Sequence, residues 1–461
     1  MRKAEQFDAI VIGTGQAGPA LAVRLAGAGK KVAILERKLF GGTCVNVGCI
    51  PSKTLIASAR AAHVARQGSV YGVMIDGPVR VDMQRVKARK DAVVRQSSDG
   101  VIEWLSTTPN LTVIEGHGRF LDDHSIEVNG RTLQAAQIFI NVGGRPSVPS
   151  IAGLQDASYL TSSSIMALDH LPTHLVIIGG SYIGLEFAQM YKRFGSEVTV
   201  VEVAPQLIGR EDTAVSLAVQ AILNNEGVKI HVNVKDLRVT TTDLGNTVHI
   251  TTNGTPTALL ASHLLVAVGR VPNTDDLGLE HTSIEKDERG FIVVDDELLT
   301  SVPGVYALGD VNARGAFTHT AYNDFEIVAA NLLEEDTRRV SDRIPAYALY
   351  IDPPLARVGL SEREARASGR PILSSTMQMA RVGRARERGE TTGFMQVLVD
   401  AGTKKIVGAT FLGIEADEAI HALVDVMYAD APYTVIQRAM HIHPTVSELI
   451  PTLLSSLKLL E

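Results

Sequence analysis

One local pattern occurs twice along this chain and constrains its fold more than any other feature. Residues 7–13 read as a short apolar strand. They lead into Gly13-Thr14-Gly15-Gln16-Ala17-Gly18, a helix-forming run over 18–29, and a second apolar strand over 31–36. Glycines at this spacing allow a tight turn and close approach of backbone to a pyrophosphate, which then rests on the helix N-terminus. Glu36 ends the second strand eighteen positions after the last glycine, where a carboxylate can accept ribose hydroxyls. The pattern returns as a strand over 174–180, a helix over 182–194 and a strand over 197–202. Its turn is Gly179-Gly180-Ser181-Tyr182-Ile183-Gly184, and Glu202 again follows the last glycine by eighteen. Ser181 replaces the expected second glycine, and its Cβ restricts how closely a pyrophosphate can approach. Two such units predict a doubly wound α/β chain with two dinucleotide sites, one at Gly13, Gly15, Gly18 and Glu36, the other at Gly179, Gly184 and Glu202.

The chain has only two cysteines in 461 residues, and both lie in the stretch Gly41-Gly42-Thr43-Cys44-Val45-Asn46-Val47-Gly48-Cys49-Ile50-Pro51-Ser52-Lys53. Pro51 suits the first turn of a helix, and residues 53–67 continue in helix-forming composition. A thiol at a helix N-terminus sits in a positive field that stabilises its thiolate. A second cysteine five positions earlier could close a small, reversible disulfide. Spacing alone fits a pair of buried core cysteines better. A closed zinc site is less favoured, because it usually takes about four ligands.

The thirteen-residue segment as a whole closely resembles the redox-active disulfide of the flavoprotein disulfide reductases, the family of dihydrolipoamide dehydrogenase, glutathione reductase and mercuric reductase. The resemblance implies that Cys49 faces the flavin as a thiolate and that Cys44 attacks the substrate. Lys53 would lie near the flavin and pair with Glu186, while Gly42 and Thr43 would contact FAD. Further motifs match the same family. Val305-Tyr306-Ala307-Leu308-Gly309-Asp310 resembles its second FAD motif, with Asp310 reaching the ribitol. Val142-Gly143-Gly144-Arg145-Pro146 and Val268-Gly269-Arg270-Val271-Pro272 mark where the chain leaves the FAD domain and returns, Gly269 and Arg270 counting among the cofactor contacts. Tyr182 matches an aromatic gate over the nicotinamide pocket; its plainer role is helix–sheet packing. His443-Pro444-Thr445-Val446-Ser447-Glu448 resembles the family's histidine–glutamate signature. There His443 would be the acid–base, supplied by the partner subunit and held by Glu448, which implies a homodimer. His441 has no clear role.

The expected architecture is therefore α/β, with two Rossmann-type dinucleotide-binding domains and a C-terminal α+β dimerisation domain. The FAD domain would take residues 1–148 and 272–343, an inserted NAD domain 149–271, and the dimerisation domain 344–461. In the last domain we expect strands over 394–400 and 405–411 and helices over 416–428 and 445–460. The arginines at 381, 384, 386 and 388 read as a solvated loop. A net charge of −7 argues against nucleic-acid or acidic-membrane partners, and no apolar run reaches the length of a membrane span. The polar start does not read as a signal peptide, and so few cysteines fit a reducing cytoplasm, where a disulfide is usually catalytic or redox-sensing.

The resemblance implies FAD as resident cofactor and NADH as donor, with NADPH possible. The acceptor would be a small-molecule disulfide or dithiol, or a metal ion as substrate; no bound metal is expected. True mercuric reductases carry a vicinal cysteine pair near the C-terminus, whereas residues 453–458 here hold none. The stretches around Gly15 and over 353–359 look more like a mercuric-reductase-like bacterial subgroup that includes a copper reductase. Dihydrolipoamide dehydrogenase is the alternative, and a flavoprotein redox sensor or structural partner with little turnover is a reading from another class.

Overall fold

The computed structural model describes residues 4–242 and 245–460. Its first sheet is built around strand Glu5–Ile12, which pairs in parallel with Val32–Glu36 on one side and Arg131–Ile140 on the other. Leu111–Glu115 extends it beyond Val32–Glu36, and Val305–Ala307 pairs with Arg131–Ile140. The period of two places Ala9 and Val11 on one face with Leu21 and Leu25 of helix Gly18–Gly27, and Ile10 and Ile12 on the other with Ile138 and Leu133. Both faces of these parallel strands are covered.

The second sheet repeats this construction with five parallel strands. In order they are Lys229–His231, Glu197–Val201, His174–Ile178, His263–Val266 and Leu160–Thr161. Leu175 and Ile177 face one core, Val176 and Ile178 another. A three-stranded antiparallel sheet, Lys235–Thr242, Gly245–Thr252 and Thr255–Ala261, stands beside it. All of this lies in sequence between strands of the first sheet. The two echoes noted in the sequence meet here, since Gly144–Pro146 pairs antiparallel with Arg270–Pro272. The chain thus leaves and returns through one two-stranded ribbon.

The C-terminal part is a six-stranded antiparallel sheet in the order Ala346–Leu349, Leu355–Gly359, Ile406–Leu412, Phe394–Asp400, Ile372–Gln378, Lys458–Leu459. Three sequence expectations need correction. The helix over 445–460 is a single turn at Ser447–Leu449, a short helix Ile450–Leu454 and then strand Lys458–Leu459. Pro451 suits only a helix start, and the last residues gain more by adding a strand to Ile372–Gln378. The helix over 416–428 divides at Ile420 into Ala416–Ala419 and His421–Tyr428. The arginine cluster is not simply a loop: Gly383–Glu387 is helical, and Arg384 donates to the Pro444 carbonyl at 2.7 Å. Among the described residues no helix is long and apolar enough to cross a membrane.

Candidate active site

The first glycine turn is filled by its own surroundings. Gly13 has φ +102°, and a Cβ there would lie 2.4 Å from the Asn141 carbonyl oxygen. A Cβ on Gly18 would lie 2.3 Å from the Gly13 carbonyl, and one on Gly15 2.9 Å from Asn141 Oδ1. Asn141 holds the turn closed: Oδ1 accepts from the Gly18 amide at 3.0 Å, and Nδ2 donates to the Leu308 carbonyl at 2.9 Å. Glu36 Oε2 accepts from the Thr14 amide and hydroxyl at 3.0 and 2.6 Å, while Oε1 accepts from the Lys38 amide at 2.8 Å. That fixes the carboxylate at the strand end. Asp310 follows the parallel strand Val305–Ala307 and lies 3.4 Å from Arg270 Nε. Burial raises its carboxyl pKa, and the Arg270 charge opposes the rise. Arg270 Nε is buried and makes no hydrogen bond, while its Nη2 bonds the Gly144 carbonyl. A cradle with no room for side chains, flanked by a polar pair with unused hydrogen-bonding capacity, fits a dinucleotide.

The cysteine segment sits on this turn. Gly41 and Gly42 have φ +90° and +61°, and a Cβ on Gly42 would lie 2.9 Å from Gly15 Cα. Thr43, exposed, and Cys44 then belong to a short helix, Gly42–Val47, and Cys49 opens a second, Cys49–Arg66. The sequence reading put Pro51 in the first turn and a thiol at the helix N-terminus, and Cys49 is the first helical residue. Gly48 is the joint between the helices, and a Cβ on it would lie 2.7 Å from the Thr43 carbonyl. Asn46 ties the turn down through the carbonyls of Phe40 and Gly42, at 2.8 and 2.9 Å.

The two thiols are chemically unequal. The Cys49 thiol is lowered to about 6, chiefly by a hydrogen bond with Cys44, against burial and with help from Thr318 and Lys53. The same hydrogen bond, with burial, pushes Cys44 up. These surroundings favour the thiolate on Cys49 and the proton on Cys44. Cys49 Sγ lies 3.2 Å from Thr318 Oγ1 at the start of helix Thr318–Leu333. No sequence motif marked Thr318.

Lys53, one turn beyond Cys49, meets the second unit. Its Nζ lies 2.6 Å from Glu186 Oε2 on helix Tyr182–Phe194, and 4.7 Å from the centre of the Tyr350 ring. Glu186 Oε1 accepts from the Tyr350 amide at 3.0 Å. The expected lysine–glutamate pair is therefore formed, with Tyr350 as an unforeseen third member.

The second glycine turn has the same frame with a looser middle. Cβ atoms on Gly179 and Gly184 would lie 2.3 Å from the Ala267 carbonyl and 2.0 Å from the Gly179 carbonyl. Glu202 Oε2 accepts from the Gly180 amide at 2.6 Å, and Oε1 from the Ala204 amide at 2.7 Å. Ser181 is exposed in extended backbone. Tyr182 is only half-buried and does more than pack: its hydroxyl donates to Glu211 Oε1 at 3.1 Å. Glu211 is fully buried and also accepts from the Tyr347 hydroxyl at 2.7 Å and from Arg357 Nε at 2.8 Å. Rings of Tyr182, Tyr347 and Phe317 cluster with centroids 5.6–6.3 Å apart, Phe317 being the neighbour of Thr318. Glu211 was invisible in the sequence because its partners come from two distant segments, the helix opened by Tyr182 and the strand pair that carries Tyr347 and Arg357. Gly269, with φ +128°, opens the return ribbon beside Arg270.

His443 and Glu448 form their expected pair, His443 Nδ1 to Glu448 Oε2 at 2.8 Å. A carboxylate accepts, so Nδ1 donates, and in the neutral ring the lone pair is then on Nε2. The His443 side chain is 79% exposed, and nearby Met440 and Ile442 are 99% and 80% exposed. His441 Nδ1 lies 3.2 Å from the Ala439 carbonyl. The pair therefore faces outward from this chain.

This chain belongs to the pyridine nucleotide-disulphide oxidoreductases: that family matches residues 7–324, and its dimerisation domain matches 345–454. It is an oxidoreductase of the flavoprotein class. It is 36% identical to a probable pyridine nucleotide-disulfide oxidoreductase, RclA, of Escherichia coli K12, over 98% of this chain and 100% of the relative. The solved Cu(II) complex of that HOCl-induced flavoprotein disulfide reductase superposes with a TM-score of 0.88 at 35% identity, over 98% of this chain and 99% of the other. A dihydrolipoyl dehydrogenase of Mycoplasma pneumoniae is 32% identical over 96% and 97% of the two chains. A mercuric reductase of Lysinibacillus sphaericus is 31% identical over 91% of this chain and 76% of the relative.

Proposed function

We propose that this enzyme takes electrons from NAD(P)H through FAD to the Cys44–Cys49 disulfide and delivers them to a small disulfide or a thiophilic metal ion. The observation that carries this reading is the unequal thiol pair seated on the first glycine turn. When bound there, FAD supplies the two-electron link between nicotinamide and disulfide. Residues 1–148 and 272–343 would form its domain, 149–271 the nicotinamide domain and 344–461 the dimer domain.

In the reduced pair the Cys49 thiolate stays against Thr318 and Lys53, and Cys44 is the thiol available to an acceptor. Attack by Cys44 on a disulfide requires loss of its proton. It forms a mixed disulfide and releases one thiol, and Cys49 then attacks Cys44 to release the second. His443 Nε2 has the lone pair to take that proton and return it to a leaving thiolate. Its outward position, beside exposed Met440 and Ile442, supports delivery from the partner of a homodimer. A metal ion as substrate would accept thiolates from both cysteines with no leaving thiol to protonate.

The metal-ion branch draws support from near-full-length similarity to the E. coli protein solved with Cu(II); dihydrolipoamide turnover is the second reading, supported by the similarity to the M. pneumoniae enzyme. One steady-state panel tests the choice: NADH oxidation with lipoamide, oxidised glutathione, Cu(II) and Hg(II). Turnover with the metal ions well above that with lipoamide is expected, and the reverse order overturns the first reading. Absence of rapid flavin bleaching by NADH and of a long-wavelength charge-transfer band would instead support a sensor.

A further inference from the structure

A histidine pair on the second sheet has no part in the chemistry above. Strands His174–Ile178 and His263–Val266 run parallel, so His174 and His263 lie at their amino ends, opposite the carboxyl end that carries Gly179. The loop entering this edge brings His170 against His263, with the two Nε2 atoms 3.3 Å apart and ring centroids 5.2 Å apart at 55°. His170 Nδ1 lies 3.0 Å from Asp169 Oδ1. A carboxylate only accepts, so Nδ1 donates, and in the neutral ring the lone pair is then on Nε2. Ser262 Oγ accepts from the His174 amide at 3.0 Å, and lies 3.0 Å from the His174 carbonyl and 3.2 Å from His263 Nδ1. With its one proton on the nearer carbonyl, the serine accepts from His263 Nδ1–H. The second ring then also presents an Nε2 lone pair.

Two lone pairs facing at 3.3 Å repel unless a cation stands between them. For metal–nitrogen bonds of about 2.0–2.1 Å at a tetrahedral angle, two ligand nitrogens stand about 3.3–3.4 Å apart. We propose that His170 and His263 form a labile site for one borderline divalent transition-metal ion, such as Zn2+ or Ni2+, held by both ε-nitrogens and completed by water. Asp169 and Ser262 orient the rings through their δ-nitrogens, as the outer partners of metal-bound histidines do. His170 is exposed, which opens the site to solvent. Among the described residues no group of three or more histidine, cysteine, aspartate or glutamate side chains is placed to hold a metal ion. Two protein ligands make an exchangeable site, not a structural one.

The site is independent of the redox reading, and so is its test. The holoenzyme with its cysteines oxidised, so that no thiol competes, is titrated with Ni2+ alone in a non-chelating buffer and followed by calorimetry. Wild type should take up one equivalent per chain more than either His170→Ala or His263→Ala. Asp169→Asn should bind that equivalent roughly ten-fold more weakly. NADH oxidation should be the same in all four proteins. Equal stoichiometry and affinity in wild type and both histidine variants would overturn the proposal. So would NMR titration showing one ring of the pair with a raised pKa and no nickel uptake, because a proton would then hold the place of the ion. His170 lies on an exposed loop, so its variant decides the matter should His263→Ala fold poorly.

Discussion

The two glycine turns share one backbone plan and differ at the middle position. In each, the first and last glycines meet backbone carbonyls at 2.0–2.4 Å from a hypothetical Cβ. In each, the glutamate ending the following strand accepts an amide from the turn. In the first turn, Gly15 is pressed between Asn141 and Gly42, so the cysteine segment covers it. In the second, Ser181 is exposed and nothing comparable covers it. The difference matches the proposed cofactors. A resident flavin suits a turn that is sealed by the segment carrying the thiols, and a nucleotide that exchanges every turnover suits one left open.

The largest expected effect tests whether the turns are separable. Gly18→Ala and Gly184→Ala each drive a methyl into backbone, where little can yield, so each sits at or above the usual cost of overpacking, about 1–3 kcal/mol. Gly18→Ala should purify with little flavin. Gly184→Ala should keep its flavin and lose NADH-dependent turnover. Flavin absorbance per chain and NADH oxidation are the measurements, and loss of flavin from both variants would show that the turns are not independent.

Much of this contrast was legible before any coordinates. Gly13, Gly15, Gly18 and Glu36 lie within one local strand–turn–helix, so sequence spacing alone reports their geometry. Cys44 with Cys49, and His443 with Glu448 five residues on, are local too, but their roles came through resemblance, since spacing alone fitted buried core cysteines better. Lys53 with Glu186 came only through resemblance, because nothing local links residues 133 apart. Thr318, Asn141, Tyr350 and Glu211 were missed for that reason: each is assembled by tertiary contacts with no periodic or motif signal. The terminal helix was misjudged because its composition suits a helix, and pairing with Ile372–Gln378 decided the last residues instead.

Nucleotide choice is the next largest effect. Glu202 is held by two amides at the strand end, and Val203 beside it offers no cation. A carboxylate there repels a 2′-phosphate by roughly 1–4 kcal/mol in a partly screened site, so kcat/KM should favour NADH by about ten-fold or more. The double variant Glu202→Ala, Val203→Arg should move the ratio towards NADPH and leave flavin content alone. A clear NADPH preference in the wild type would break the assignment of Glu202.

The covered turn makes a further, pH-dependent claim. In the dithionite-reduced enzyme, alkylation of Cys49 should rise with pH and level off, with its midpoint at about 6. In Cys49→Ser the hydrogen bond that chiefly pushes the Cys44 thiol up is gone and burial remains, so Cys44 should alkylate faster at neutral pH than it does in the intact reduced pair. Thr318→Val removes one of the hydrogen bonds that lower Cys49, so its midpoint should move up towards the ordinary thiol value of ~8.5. The hydrogen bond with Cys44 remains in that variant, so the move should be partial. An unchanged midpoint would separate Thr318 from the thiolate.

The smallest effect is the most direct test of the open middle position. Ser181→Gly removes the Cβ at the middle position, where the first turn has Gly15, without straining a backbone that is extended at φ −102°, ψ −175°. A pyrophosphate could then approach as closely as in the first turn, which should lower KM for NADH. Glycine also frees the unbound turn, a cost of about 0.5–1 kcal/mol or roughly two- to five-fold, so the net gain should be modest. The reverse exchange is not modest. Gly15→Ser places its Cβ 2.9 Å from Asn141 Oδ1 and under Gly42, and should cost flavin retention outright. The same pair of residues exchanged between equivalent positions thus has unequal consequences, because only one turn is covered. A higher KM in Ser181→Gly, or full flavin in Gly15→Ser, would mean that the serine is a nucleotide ligand or that the cysteine segment does not seal the first turn.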